Sequence, residues 1–164
     1  MPQLNINGLT FTFPPGWQAS KYDEWSFYRN QFVKQSDGIK AVDAVVLGPS
    51  NVAFLIEVKN YRHPDTEKPS QLPDAIANKV LCTLAAMLPA KLKANAPAEQ
   101  QLAAAILDCT SLRVIAHIEQ SQQHRPAVDL ADIKQKLRKL LRAVDAHPKV
   151  VSMSNMGGMD WSVT

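Results

Sequence analysis

Hydrophobic and polar positions change period along the chain, and each change predicts an element. Leu9-Thr-Phe-Thr-Phe13 alternates apolar with polar residues and stops at Pro14-Pro15-Gly16, which predicts a short strand closed by a turn. From Ser20, a candidate N-cap, Tyr22, Trp25, Tyr28 and Phe32 recur near helical spacing until Ser36-Asp37-Gly38, so a first helix is expected over about 21–34. Ile39 to Leu47 and Val52 to Tyr61 are rich in Val, Ile and Phe and flank Gly48-Pro49-Ser50-Asn51, the pattern of a β-hairpin. A proline-rich loop over 63–73 follows. Ala75, Ile76, Val80, Leu81, Leu84 and Leu88 then mark a second helix that Pro89 is expected to end.

Ala98 to Leu107 suits a further short helix, and Leu112 to Ile118 is the clearest later strand. Leu130, Ile133, Leu137, Leu141 and Val144 give a last amphipathic helix with Asp129 as its cap, and Val150 to Met153 adds a strand. The stretch from Asn155 is expected to be a flexible tail, with Trp161 either folding back or docking a partner. This order predicts an α/β fold, a mixed sheet with helices against both faces, in a single domain over 1–164.

Composition narrows the classes. No run approaches the roughly 18 apolar residues of a membrane span, and the start of the chain lacks a charged leader with an apolar core, so a cytoplasmic protein is expected. Cys82 and Cys109 lack metal or redox spacing and are expected to be buried reduced thiols. Net charge is +3, and the excess lies in the C-terminal half, where residues 71–164 hold eleven basic against eight acidic side chains. That balance is compatible with a polyanionic partner.

Candidate chemistry concentrates in the hairpin. Alternation along Val52 to Lys59 puts Phe54, Ile56 and Val58 on one face and Leu55, Glu57 and Lys59 on the other. A surface ion pair would account for Glu57 and Lys59 only on a solvated strand, whereas Phe54-Leu55-Ile56 reads as a strand covered on both sides, where a charge needs a partner or a metal. Asp43 repeats the anomaly among Val42, Ala44, Val45 and Val46. An acid in each of two neighbouring strands, with a lysine two residues after the second, is what metal-assisted phosphodiester cleavage requires: carboxylates for a hard Mg²⁺ ion and an ammonium for the attacking water or the phosphate. Asp43 and Glu57 can share a face only if opposed residue numbers sum to an even value. The hairpin connection should therefore hold an odd number of residues centred on Ser50, three such as Pro49-Ser50-Asn51 or five, unless a β-bulge resets the register.

Lys40-Ala-Val-Asp43 followed by Leu55-Ile-Glu-Val-Lys-Asn-Tyr-Arg62 resembles the PD-(D/E)XK phosphodiesterase superfamily, which includes restriction endonucleases and Holliday-junction resolvases. Val42 stands where the motif has proline. The resemblance covers about residues 20–90 and implies a restriction-endonuclease-like αβββαβ core, Asp43 and Glu57 as ligands of Mg²⁺ or Mn²⁺, Lys59 as the residue assisting the water, and DNA as substrate. It also implies an acid from the first helix, for which Glu24 is the candidate and Asp23 the runner-up, either being equally a plain first-turn acid. Gln71 and Lys79 are candidates for supporting or phosphate-contacting roles, with a solvated helix face as the simpler account of Lys79.

Arg62, at the end of the catalytic strand, is a candidate nucleic-acid contact. So are Lys134, Arg138 and Arg142, which follow one another at i, i+4 and i+8 as a basic stripe that is otherwise a solvated face. His117 and His124 are expected to bind no metal, having no second histidine or acid at ligand spacing. The expected function is thus a metal-dependent endonuclease acting on DNA, as a homodimer or with a protein partner. The competing readings are a catalytically inactive nuclease-fold module that binds nucleic acid or protein, and an accessory or toxin-like component that docks through Trp161.

Overall fold

The computed structural model describes residues 1–63, 70–122 and 125–164. Most of the expected 63–73 loop, and His124, lie outside them. The chain opens with a hairpin, β1 (Gln3–Ile6) and β2 (Leu9–Thr12), turned at Asn7-Gly8, where both residues take positive φ. That is the demand of a tight hairpin turn, and Asn-Gly meets it well. β3 (Gln18–Lys21) follows, then a 3₁₀ turn over Tyr22–Glu24, a short α1 (Ser26–Asn30) and a second 3₁₀ turn over Phe32–Lys34. The single helix expected over 21–34 is therefore broken. Trp25 is extended at ψ 134°, and Ser20 belongs to a strand instead of capping a helix.

β4 (Ala44–Leu47) and β5 (Val52–Tyr61) form the expected hairpin, followed by α2 (Leu72–Lys93), α3 (Pro97–Leu107), β6 (Ser111–Gln120), α4 (Leu130–Leu140), β7 (Lys149–Val151) and β8 (Ser162–Val163). Two expectations are corrected here. α2 runs through Pro89 to Lys93, because Ala86, Met87 and Ala90 stay buried and their packing offsets the hydrogen bond that Pro89 cannot donate. The tail folds back: β8 pairs with β2, and Trp161 is buried against Phe13, Trp17 and Phe54, which leaves it unavailable as a docking surface. Asp129 caps α4 as expected, accepting from the amides of Ala131 and Asp132. Cys82 and Cys109 are free thiols, but half-buried.

The fold is α/β. A five-stranded mixed sheet has the order β3-β4-β5-β6-β7, antiparallel from β3 to β5 and parallel from β5 to β7. Its helices collect on one face, where Val45, Leu55 and Val114 meet Ile76 and Val80 of α2, Leu102 and Ile106 of α3, and Ile133 and Leu137 of α4. A three-stranded sheet, β1-β2-β8, covers the other face, closing Phe11, Phe13, Trp17 and Trp161 over Val46, Phe54, Ile56 and Ile115. The expectation of helices on both faces gives way to one helical and one β layer. By length and composition alone α2 is apolar enough to cross a membrane. Here it lies across the sheet, with Leu81, Leu88 and Leu92 on its outer side exposed.

The hairpin register is the even one that the candidate site demands: 44 faces 56, 45 faces 55 and 47 faces 53. Gly48 donates its amide to the Val52 carbonyl at 2.8 Å, so the connection is Pro49-Ser50-Asn51, three residues with Ser50 at the centre. Ser50 and Asn51 take φ of 57° and 55°, left-handed values that asparagine, among non-glycine residues, tolerates best.

Candidate active site

Asp43 lies one residue before β4, and the register carried one step further sets it opposite Glu57. Two elements hold it there. Its carbonyl accepts the Tyr22 amide at 3.0 Å, joining the 3₁₀ turn to this corner, and its carboxylate Oδ2 accepts the Val58 amide at 2.7 Å. The side chain thus takes a backbone donor of β5 and holds its own carboxylate beside Glu57.

Glu57 points to the helical side of the sheet and is only 1% exposed. Its Oε1 meets two ammonium groups, Lys59 Nζ at 2.9 Å and Lys79 Nζ at 2.6 Å, whereas its Oε2 is buried without a partner. Lys59 reaches Glu57 along the same strand; Lys79 comes across from α2. The height of α2 is set by Thr83, whose hydroxyl donates to the Lys79 carbonyl at 2.7 Å and accepts the Val42 amide at 3.1 Å, one residue before Asp43. Lys79 is therefore part of the site and not a solvated helix face. Its place between Ile76 and Thr83 on the buried side of the helix carried that signal in the sequence.

The electrostatics follow from burial and crowding. Burial and the neighbouring Glu57 charge push Asp43 from its ordinary 3.8 up to about 7, against the opposing pull of the Val58 amide, Lys79 and Lys59. Burial alone would lower Lys59, but the Glu57 carboxylate outweighs it and holds the ammonium above its usual range. Tyr61 is raised by burial and then by Glu57, and its hydroxyl is buried without a partner.

The remaining sequence candidates separate. Glu24 is at the surface, paired with Lys21 at 2.5 Å, and does not join the site. Asp23, the runner-up, is half-buried. Its carboxyl is raised by burial, against the lowering pull of Lys21 first and then of Arg29 and Lys79, and its Oδ1 is buried without a partner. Gln71 precedes α2, exposed and making no capping bond. Arg62 extends past β5 and donates to Asn60 Oδ1 at 3.0 Å. Lys134 and Arg138 are exposed on α4, while Arg142 lies in the turn beyond its end, so the stripe is shorter than the spacing predicts.

On the opposite face of the sheet, His117 is buried, with Nε2 at 2.8 Å from Glu119 Oε1, which also accepts the Met153 amide at 2.6 Å. This corrects the expectation of a histidine without an acid at ligand spacing. Glu119 is two residues on, and the strand period alone puts it on the same face. Among the described residues, no three His, Cys, Asp or Glu side chains converge as a metal cage.

No family model and no solved structure matches this chain. It is similar to part of a cysteine--tRNA ligase from Neisseria meningitidis serogroup A / serotype 4A (strain DSM 15465 / Z2491), 31% identical over 167 residues that take in 81% of this chain and 24% of that protein. The chain thus spans about a quarter of the length of that relative.

Proposed function

We propose that this chain is a metal-dependent nuclease that hydrolyses phosphodiester bonds through Asp43, Glu57 and Lys59, in a cytoplasmic setting. The observation that carries the reading is the buried, unpartnered Oε2 of Glu57 beside a second carboxylate that already resists ionisation. A buried carboxylate oxygen with no donor is costly, and a divalent ion relieves that cost and the repulsion between the two acids together. Two carboxylates suffice for Mg²⁺ or Mn²⁺, which keep several waters and take further oxygens from a phosphate. The antiparallel β3-β4-β5 succession, the α2 crossover and the parallel β6 are compatible with the restriction-endonuclease-like core that the motif resemblance implies.

Asp43 and Glu57 would hold the ion, and Lys59, two residues from Glu57 on the same strand, would orient a water or meet phosphate charge. The ion supplies charge neutralisation on the phosphoryl oxygens and a lowered pKa for the attacking water. Arg62, Lys134 and Arg138 offer cations to a polyanionic backbone. DNA is the first substrate by resemblance, and the name of the relative puts tRNA beside it. Cleavage of both strands of a duplex calls for a second copy or a partner.

Plasmid DNA, single-stranded DNA and tRNA are incubated with the full chain in Mg²⁺, Mn²⁺ or EDTA. Cleavage is expected only with metal, absent in Asp43→Ala and Glu57→Ala, and severely impaired in Lys59→Ala. Cleavage that persists in EDTA, or in both acid variants, refutes the reading. Metal binding without cleavage of any substrate favours the inactive binding module.

A further inference from the structure

Asp43, Glu57, Lys59 and Lys79 are two acids and two bases within one half-buried cluster, so the site is close to charge balance before any ion enters. Both ammonium groups crowd onto one oxygen, Glu57 Oε1, at 2.9 and 2.6 Å, while Oε2 receives nothing. A divalent ion on these carboxylates adds two positive charges to a cluster that already holds two, at separations where desolvated charges interact strongly. One ammonium must give way. The two side chains are almost equally exposed, at 24% and 23%, but Lys59 stands two residues from Glu57 on the same strand face and stays beside it, whereas Lys79 is carried by a different element, α2. Among the acids whose field Lys79 shares is Asp23, which also feels Lys21 and Arg29 and whose Oδ1 is buried without a donor.

Resting on the nuclease reading, we infer that Lys79 is a resident counter-cation of Glu57 that a divalent ion displaces toward Asp23. Lys79 then acts as a positioning residue. It keeps Glu57 paired and aligned in the metal-free protein, and on release it is held at the rim of the site. Lys79 and the ion compete for one oxygen, so removing the lysine must tighten the ion's binding, the reverse of what loss of a supporting residue does.

The test is Mn²⁺ binding to the full chain by calorimetry, with free Mn²⁺ followed by its electron paramagnetic signal. Lys79→Met is expected to bind Mn²⁺ about tenfold more tightly than wild type, the size of an ordinary coupling between competing ligands. Lys79→Gln, which keeps a hydrogen-bonding end if the methionine variant folds poorly, should shift the same way, and Lys79→Arg should stay within about twofold of wild type. Asp23→Asn should weaken Mn²⁺ binding when Lys79 is present and leave it unchanged in the Lys79→Met background. Equal or weaker binding in both Lys79→Met and Lys79→Gln overturns the inference, as does an Asp23→Asn effect of the same size in both backgrounds. If Mn²⁺ binds and Asp43→Asn abolishes that binding, those failures leave the nuclease reading standing. If no variant binds Mn²⁺, both fall.

Discussion

Replacing Asp43 by Asn should make the protein more stable at neutral and alkaline pH while destroying the candidate site. The unfolded chain releases the Asp43 proton near 3.8, and the folded protein keeps it until about 7. Between those values the native state binds a proton that the unfolded state has lost, so the Asp43 contribution to stability is complete below pH 4, falls as pH rises and levels off above 7. Roughly three pKa units at about 1.4 kcal/mol each give up to about 4 kcal/mol between the two limits. Asn mimics the protonated acid: it is neutral, similar in shape, and its Oδ1 can still accept the Val58 amide. Urea unfolding followed by circular dichroism in EDTA, at half-unit steps from pH 4 to 8.5, should show a variant-minus-wild-type difference near zero at pH 4 that climbs to several kcal/mol by pH 8. Mg²⁺ should narrow that gap by stabilising the wild type alone. A difference that stays flat across the range, or a variant less stable than wild type at pH 8, would refute the assignment of a strained carboxylate pair.

Trp161→Ala should cost roughly 3–5 kcal/mol, read as a drop in thermal midpoint, because the indole is buried among Phe13, Trp17 and Phe54 and its loss leaves a large cavity. A change below 1 kcal/mol would mean that β8 is not a stable part of the second layer. Lys134→Glu combined with Arg138→Glu should leave the melting temperature within a degree or two, weaken nucleic-acid binding and flatten its log–log salt slope by about two. An unchanged slope assigns α4 to solvent.

The hairpin was legible in the sequence because its two constraints reinforce each other. Continuous apolar runs marked β4 and β5 as doubly covered strands, and the parity argument located the turn at Ser50, where the chain has it. The first helix failed for the opposite reason. Tyr22, Trp25 and Phe27 are all buried, but a 3₁₀ turn, an extended residue and a short helix present them to the core, and a count of apolar positions cannot distinguish that succession from one helix. The same helical reading favours Glu24 over Asp23, and Glu24 lies exposed beside Lys21. β1 lies outside the expected strands although Asn7-Gly8 announces its turn, because Gln3-Leu-Asn-Ile6 offers only two apolar positions against the fuller alternation of β2. β8 has two residues and is held by its pairing with β2 and its buried neighbours, neither of which has a local signature. Glu119 was visible two residues after His117, and only the strand period was needed to pair them.

The three-residue turn at Ser50 also bears on the order in which the molecule assembles. Closing a short loop costs little chain entropy, so β4 and β5 can zip together early and bring Asp43 beside Glu57 while most of the chain is still open. The parallel partner of β5 arrives only after the whole α2 and α3 segment has been made, since Val52 pairs with Ser111 and Tyr61 with Gln120. A hairpin formed first would hold its two carboxylates close together in water until β6 and the helices pack against it. If the hairpin belongs to the folding nucleus, a divalent cation bound to it should speed refolding more than it slows unfolding.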